Sequence, residues 1–404
     1  MKVLQINKFF YLKGGAEKHF LALIELLEGA GHELSVFSMR DKKNLPSADA
    51  EYFAAPVNLE KFSFRDSVKY FRNSDAIEKL RLLIRQKKPD IAHLHNIAHQ
   101  LTPAIIKVLK DNKIPVVQTL HDYKLICPNY KLFTQNQICY RCRGKKYYNC
   151  FTHRCIDGVA AKSFMAMCEM YYNDSWHKYY DLVDLFIAPS RFMKDVCVSF
   201  GIAAERIEVL PNFIGRGEYP ILRAEQPADD YLIYFGRLAY EKGVGTLIEA
   251  LTRVPMSLRL KIVGSGPGEA DCRKMVTKYR LDDRVEFTGF QQDKKLRTLI
   301  QGARAVVVPS LWNENWPFSV LEAMALGKVI IASKAGGMPE MLGQGKFGLL
   351  FEPGDSQQLS DLINKIYKKD HSYLGAAARQ EVDKYNPADY LKHLSKIYKR
   401  LIKK

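Results

Sequence analysis

Apolar and polar positions follow two alternating rhythms along this chain. Short β-branched apolar runs, read as strands, occur at 2–7, 31–37, 91–95, 116–120, 183–188 and 207–210, and again at 231–235, 258–263, 285–290, 306–308 and 328–333. Between them lie stretches with apolar residues every three or four positions, the helical period. Leu21, Leu23, Ile24, Leu26 and Leu27 form one such stretch, and 76–86, 244–251 and 317–326 form others. A helix between two strands of this kind implies a parallel βαβ crossover, so an α/β fold with doubly wound parallel sheets is expected. Asn386-Pro387 opens a last helix, with Leu391, Leu394, Ile397, Leu401 and Ile402 on one face. The rhythm lapses at 215–230, where Gly, Pro and charge mix without period, and a linker is expected there.

The 404 residues, 47% of them hydrophobic, suffice for two cores. The expected division is 1–214, 215–385 and a terminal helix, 386–404. No apolar run approaches a membrane-spanning length. The opening Met1–Ile6 is too brief for a signal peptide's apolar region, so a cytoplasmic protein is expected. Its 61 Lys and Arg against 44 Asp and Glu leave a net charge of +17, which attracts polyanions. There is no compact basic motif of a nucleic-acid reader, so no nucleic-acid partner is expected. An anionic membrane surface at the inner face of the cell membrane is the expected polyanion. Lys61–Arg72 interleaves aromatic and basic residues and suits such an interface, or an acceptor-binding face.

Candidate chemistry gathers at strand ends, where open α/β sheets bind their ligands. Glu314 and Glu322 stand eight positions apart, one in a loop and one on the following helix, and can reach different parts of one ligand. The N–H groups of Phe318 and Ser319, at that helix's start, favour a phosphate. Hydroxyl acceptors flanking anion donors match a sugar, a diphosphate and a ribose, which together make a nucleotide sugar. Gly236-Arg237 and Lys242-Gly243 follow the strand 231–235 and offer two cations as a diphosphate clamp. Gly14 and Gly15, between the first strand and its helix, allow close backbone approach of an anion. The full dinucleotide fingerprint is absent, so a Rossmann dehydrogenase is not supported. His121 follows the strand 116–120 and suits either proton handling or a hydrogen bond to a sugar hydroxyl.

The stretch Glu-Asn-Trp-Pro-Phe-Ser-Val-Leu-Glu at 314–322, followed by Ala-Met-Ala-Leu-Gly, resembles the E-x7-E signature of the retaining family 4 glycosyltransferases of GT-B fold. That resemblance implies two Rossmann-like domains facing a central cleft, with the last helix crossing back onto the first domain. It implies a nucleotide-sugar donor, with Glu314 on the sugar, Trp316 within the donor-binding stretch, and Glu322 on the ribose. Arg237 and Lys242 match the family's G-R-x4-K-G pattern on the diphosphate. Gly14 and Gly15 lie beside the diphosphate and acceptor, and His121 lies under the sugar. Gly264 and Phe290 belong to segments that frame the base. One departure stands out: Pro317 occupies a position that is often Gly, and it has no N–H to donate. The implied reaction is transfer with retention to a hydroxyl of a glycan or lipid-linked acceptor, without a catalytic metal. A GT-B epimerase or phosphorylase is the rival enzyme, and a basic membrane or nucleic-acid adaptor on a transferase scaffold is the rival of another class.

An insert from Cys127 to Cys155 holds five of the eight cysteines. Cys139, Cys142, Cys150 and Cys155 fit either one structural zinc site or unliganded thiols.

Overall fold

The computed structural model describes residues 1–58, 64–215, 217, 219–220 and 230–403. Part of the aromatic and basic stretch at 61–72 and most of the linker read at 215–230 lie outside the described residues. Within the former, Phe64–Phe71 is a helix.

The chain divides into two compact units, one built from 1–135, 139–212 and 388–404, the other mainly from 213–387. The first contains β1 (Lys2–Ile6), β2 (Glu33–Phe37), β3 (Ile91–Leu94) and β4 (Val116–Thr119). Two-residue strands β5 (Phe133–Thr134) and β6 (Gln137–Ile138) fall in the cysteine-rich stretch, followed by β7 (Leu185–Ala188) and β8 (Ile207–Val209). The large sheet runs β2-β1-β3-β4-β7-β8 and every neighbouring pair is parallel, with Val3 opposite both Leu34 and Ile91. Strands β3, β4 and β7 are buried along their whole length, as parallel strands covered on both faces must be.

In the second unit, β9 (Tyr231–Phe235), β10 (Arg259–Val263), β11 (Val285–Gly289), β12 (Ala305–Val308), β13 (Val329–Ser333) and β14 (Leu349–Phe351) form a parallel sheet ordered β11-β10-β9-β12-β13-β14. Successive strand residues point to opposite faces, and two cores result. Ile233, Phe235, Val306, Val308 and Ile330 pack in one, while Leu232, Tyr234, Val307, Val329 and Ile331 pack in the other. Helices Val244–Leu251 and Phe318–Ala325 start after β9 and β12, so both helix N-termini stand at the strands' carboxyl edge.

The helix Pro387–Ile402 belongs to the first unit from Ala388 onward. Its buried side is Tyr390, Leu394, Ile397, Tyr398 and Leu401. This corrects the expected face, because Ile402 is exposed and two tyrosines take its place inward. Each has a buried polar partner, described below. Among the described residues, no helix is long and apolar enough to cross a membrane.

Candidate functional site

In the second unit the loops after β9, β12 and β13 converge around Glu314. Its carboxylate is buried and accepts from Lys242 Nζ at 2.6 Å and from Ser310 Oγ at 2.6 Å. Burial alone would raise this carboxyl. The Lys242 charge and the hydrogen bonds from Lys242 and Ser310 outweigh it and hold the group below the usual carboxylate range. Lys242 Nζ also lies 4.9 Å from the Trp312 ring centre, a cation–π contact. The loop is shaped by Gly336, whose φ of +65° lies in the left-handed region. A Cβ there would stand 2.0 Å from the Glu314 carbonyl oxygen, and the neighbouring Gly337 N–H donates to that oxygen at 2.7 Å. Only glycine lets the two loops close on each other.

Glu322, on the helix Phe318–Ala325, is buried and accepts from the Tyr219 hydroxyl at 3.3 Å. That helix begins after Pro317, and the first N–H groups of any helix lack a partner within it. Arg237 is half-exposed and donates to the buried Glu241 at 2.8 Å, while its carbonyl accepts from the Tyr234 hydroxyl. Gly236 and Gly264 follow β9 and β10. A Cβ on Gly264 would come within 2.0 Å of the Gly236 carbonyl oxygen, so the two turns touch backbone to backbone. Phe290 is exposed just beyond β11. Trp316 is 4% exposed and packs edge-on against Tyr385, with centroids 5.3 Å apart. The indole lies in the core of this unit, where its apolar area is removed from water.

In the first unit, Gly14 sits at the N-cap and Gly15 at the first position of the helix Gly15–Gly29. His121 follows β4 and joins a cluster that sequence reading missed. His93 and His95, two apart around the end of β3, stack at 4.6 Å, and His95 stacks on His121 at 5.1 Å. Gln5 Oε1 accepts from His95 Nε2–H at 3.0 Å, which leaves His95 Nδ1 to accept from His121 Nε2–H at 2.8 Å. His121 Nδ1 is then an acceptor. From the terminal helix, the Tyr398 hydroxyl is 2.7 Å from His93 Nδ1, and the Tyr390 hydroxyl is 3.1 Å from His19 Nε2. His93 Nε2 meets Thr119 Oγ1 at 2.7 Å. Burial lowers all four imidazoles, His93 and His121 to about 3 and His19 and His95 well below the ordinary value, so the cluster is neutral near pH 7. Beside it lies a buried ion pair, Lys124 with Glu169, and His99 stacks on Tyr70 with a φ of +69°. The signal available in sequence was His-x-His at a strand end, which puts both rings on one side.

Among the described residues, no three or more His, Cys, Asp or Glu are gathered so as to hold a metal ion. Cys139, Cys142, Cys150 and Cys155, considered for a structural zinc, do not make up such a group. All eight cysteines are free thiols, and Cys127, Cys139, Cys142, Cys150 and Cys155 line one small cavity. Burial pushes the Cys127 thiol up to about 11 and raises Cys142 as well, while the hydrogen bond with Cys150 lowers Cys155 to about 6.

Two parallel six-stranded sheets in separate units, with glycine-rich turns and buried carboxylates at their carboxyl edges, define the α/β GT-B class of fold. Residues 13–215 match the family model "Glycosyltransferase Family 4" and residues 222–386 match "Glycosyl transferases group 1", and the chain belongs to glycosyltransferase family 4. It is 25% identical over 224 residues to the putative colanic acid biosynthesis glycosyltransferase WcaL of Salmonella typhimurium, an alignment covering 52% of this chain and 55% of that protein. The chain thus spans about half the length of that relative. To glycogen synthase of Mycobacterium tuberculosis it is 26% identical over 377 residues, covering 87% of this chain and 82% of that one. The structure of Anabaena Alr3699/HepE in complex with UDP-glucose superposes with a TM-score of 0.72 at 19% identity, over 99% of this chain and all of that one.

Proposed function

We propose that this chain is a retaining glycosyltransferase that moves a sugar from a nucleoside diphosphate to a hydroxyl of a glycan or lipid-linked acceptor. The observation that carries the reading is the buried Glu314 carboxylate, kept ionised by Lys242 and Ser310 at the carboxyl edge of the second sheet. An ionised carboxylate in that position accepts hydrogen bonds from sugar hydroxyls, and Glu322 does the same for a ribose. Lys242, Arg237 and the N–H groups of Phe318 and Ser319 meet the charge that develops on the departing diphosphate. Gly236, Gly264 and Phe290 border the base, and Gly14 and Gly15 present backbone to the phosphates.

In the step itself, the bond from the anomeric carbon to the phosphate oxygen breaks and a bond to the acceptor oxygen forms on the same face. The acceptor's proton passes to the departing phosphate oxygen. His121 serves as a hydrogen-bond partner to the substrate and not as the base, because an imidazole lowered to about 3 takes up almost no proton at neutral pH. The UDP-glucose bound by the Anabaena protein makes UDP-sugars the first donors to try. The test is a donor screen that measures nucleoside diphosphate release with and without extracted glycan or lipid acceptors. Acceptor-dependent release with the anomeric configuration kept supports the reading. Isomerised donor without transfer, or release that requires phosphate, assigns the chain to the epimerase or phosphorylase rival.

A further inference from the structure

The helix Ala160–Met170 carries apolar residues on both of its sides. It buries Ser163, Ala166, Glu169 and Met170, and Glu169 forms the ion pair with Lys124. Its opposite side carries Ala161, Phe164, Met165 and Cys168, with Phe164 47% exposed. A helix that spends polar groups inward and leaves a phenylalanine outward loses apolar burial unless that side meets something apolar. The neighbouring short helix Tyr148–Thr152 packs against it and adds to the same patch. Phe151, 41% exposed, meets Phe164 edge to face with centroids 5.4 Å apart. Around this aromatic pair the chain is basic. Residues 141–162 contain six Lys and Arg, all exposed, against one acidic residue, Asp157.

We propose that this patch, built from the cysteine-rich insert and the helix after it, docks the protein on an anionic lipid bilayer. Phe151 and Phe164 enter the interface between headgroups and acyl chains, while Arg154, Lys146 and their neighbours meet lipid phosphates. Charge selects this occupant. A protein partner needs no such excess of one sign, whereas an acidic leaflet attracts each surface cation and adds apolar depth for the rings. The inference does not depend on the glycosyl-transfer reading, since it concerns a surface that the donor site does not use.

The test uses the full chain and sedimented vesicles of phosphatidylcholine alone or with roughly 30% phosphatidylglycerol. Wild type is expected to partition onto the anionic vesicles, with binding that falls as salt rises. The Phe151→Asp/Phe164→Asp double variant is expected to lose binding by about tenfold or more, from lost apolar area and added repulsion. Lys146→Glu/Arg154→Glu is expected to weaken binding and its salt dependence, and Tyr373→Asp, an exposed aromatic on the other unit, to leave it unchanged. All these sites are at the surface, and far-UV circular dichroism checks that each variant folds. A Phe164→Trp variant gives a direct readout: its emission should shift to shorter wavelength on anionic vesicles and be quenched by brominated lipid. Equal binding to neutral vesicles, an unperturbed Phe151→Asp/Phe164→Asp variant, or an emission shift in Phe164→Trp that follows protein concentration and not lipid would overturn the proposal. The last result would assign the patch to self-association.

Discussion

Replacing Lys242 by methionine probes the centre of the donor site. The ammonium lies 2.6 Å from Glu314 Oε1, and the two side chains are only 20% and 8% exposed. At an effective dielectric of about 20 the gross attraction at that distance is about 6 kcal/mol. Desolvation of the two ions offsets part of it, so loss of the lysine should destabilise the second unit by about 3 kcal/mol. The pH dependence is the sharper readout. In wild type the Glu314 carboxyl is held below its unfolded value, so its stabilising contribution is present above about pH 4.3 and is lost as pH falls further. Without Lys242 the burial effect dominates and the carboxyl rises above the unfolded value. The slope then reverses: the variant gains relative stability as pH falls and loses it as pH rises. Equilibrium urea unfolding between pH 4 and pH 8, followed by tryptophan fluorescence, would measure both, since Trp312 and Trp316 flank Glu314 in sequence. A Glu314→Gln variant and the double variant complete the cycle, with an expected coupling of about 2 kcal/mol. A stability difference that stays constant across this pH range, or coupling near zero, would refute the assignment of Lys242 as the group that keeps Glu314 charged.

Other expectations follow from the same geometry. Arg237→Ala should lower the melting point, because the buried Glu241 carboxylate loses its cation, and should lower kcat by about a hundredfold if the guanidinium meets leaving-group charge; unchanged turnover in the folded variant removes it from the clamp. The buried histidines stay neutral in the folded protein but protonate below about pH 6.5 when unfolded, so they make stability fall as pH drops from about 6.5 towards 3. The same argument predicts a kcat/KM profile with no acid limb near pH 6.5 from His121, and an imidazole titrating there by NMR would contradict it. Tyr398→Phe leaves His93 Nδ1 without its hydroxyl and should cost about 1–3 kcal/mol in urea unfolding. Gly336→Ala puts a methyl against the Glu314 carbonyl and should weaken donor binding by calorimetry while shifting the melting point down.

The repetitive part of the fold was legible because buried parallel strands announce themselves as unbroken β-branched runs. The helix Val244–Leu251 and the strand Tyr231–Phe235 have the boundaries their patterns implied, and the other expected strands differ by one or two residues at their ends, while β5, β6 and β14, each of two or three residues, were too short to announce themselves. Lys242 and Glu314 could be named as chemistry, but not as partners of each other, since 72 residues separate them. Arg237 shows the converse. Its bond to Glu241 follows the i, i+4 spacing visible in the chain, yet only the burial of Glu241 shows why that carboxylate needs a cation. The packing of Trp316 on Tyr385 was not legible, because a motif places a residue in sequence and does not say which way its ring turns. The histidine cluster was illegible for a similar reason. Gln5, His95, His121 and Tyr398 come from four places in the chain, and each ring's tautomer depends on a neighbour that only the fold supplies.

The contact between Tyr398 and His93 closes across 305 residues, and it ties the end of the chain to the third strand of the sheet that starts it. A ribosome releases residues in order, at roughly 5–20 per second. His93 therefore emerges on the order of half a minute before the tyrosine that completes its surroundings, and the whole intervening unit is made in that interval. During synthesis the earlier sheet must wait with an open flank while the later one folds. A cellular factor that shields that flank, or a pause late in translation, would affect the yield of active protein more than either would for a chain whose halves finish in turn.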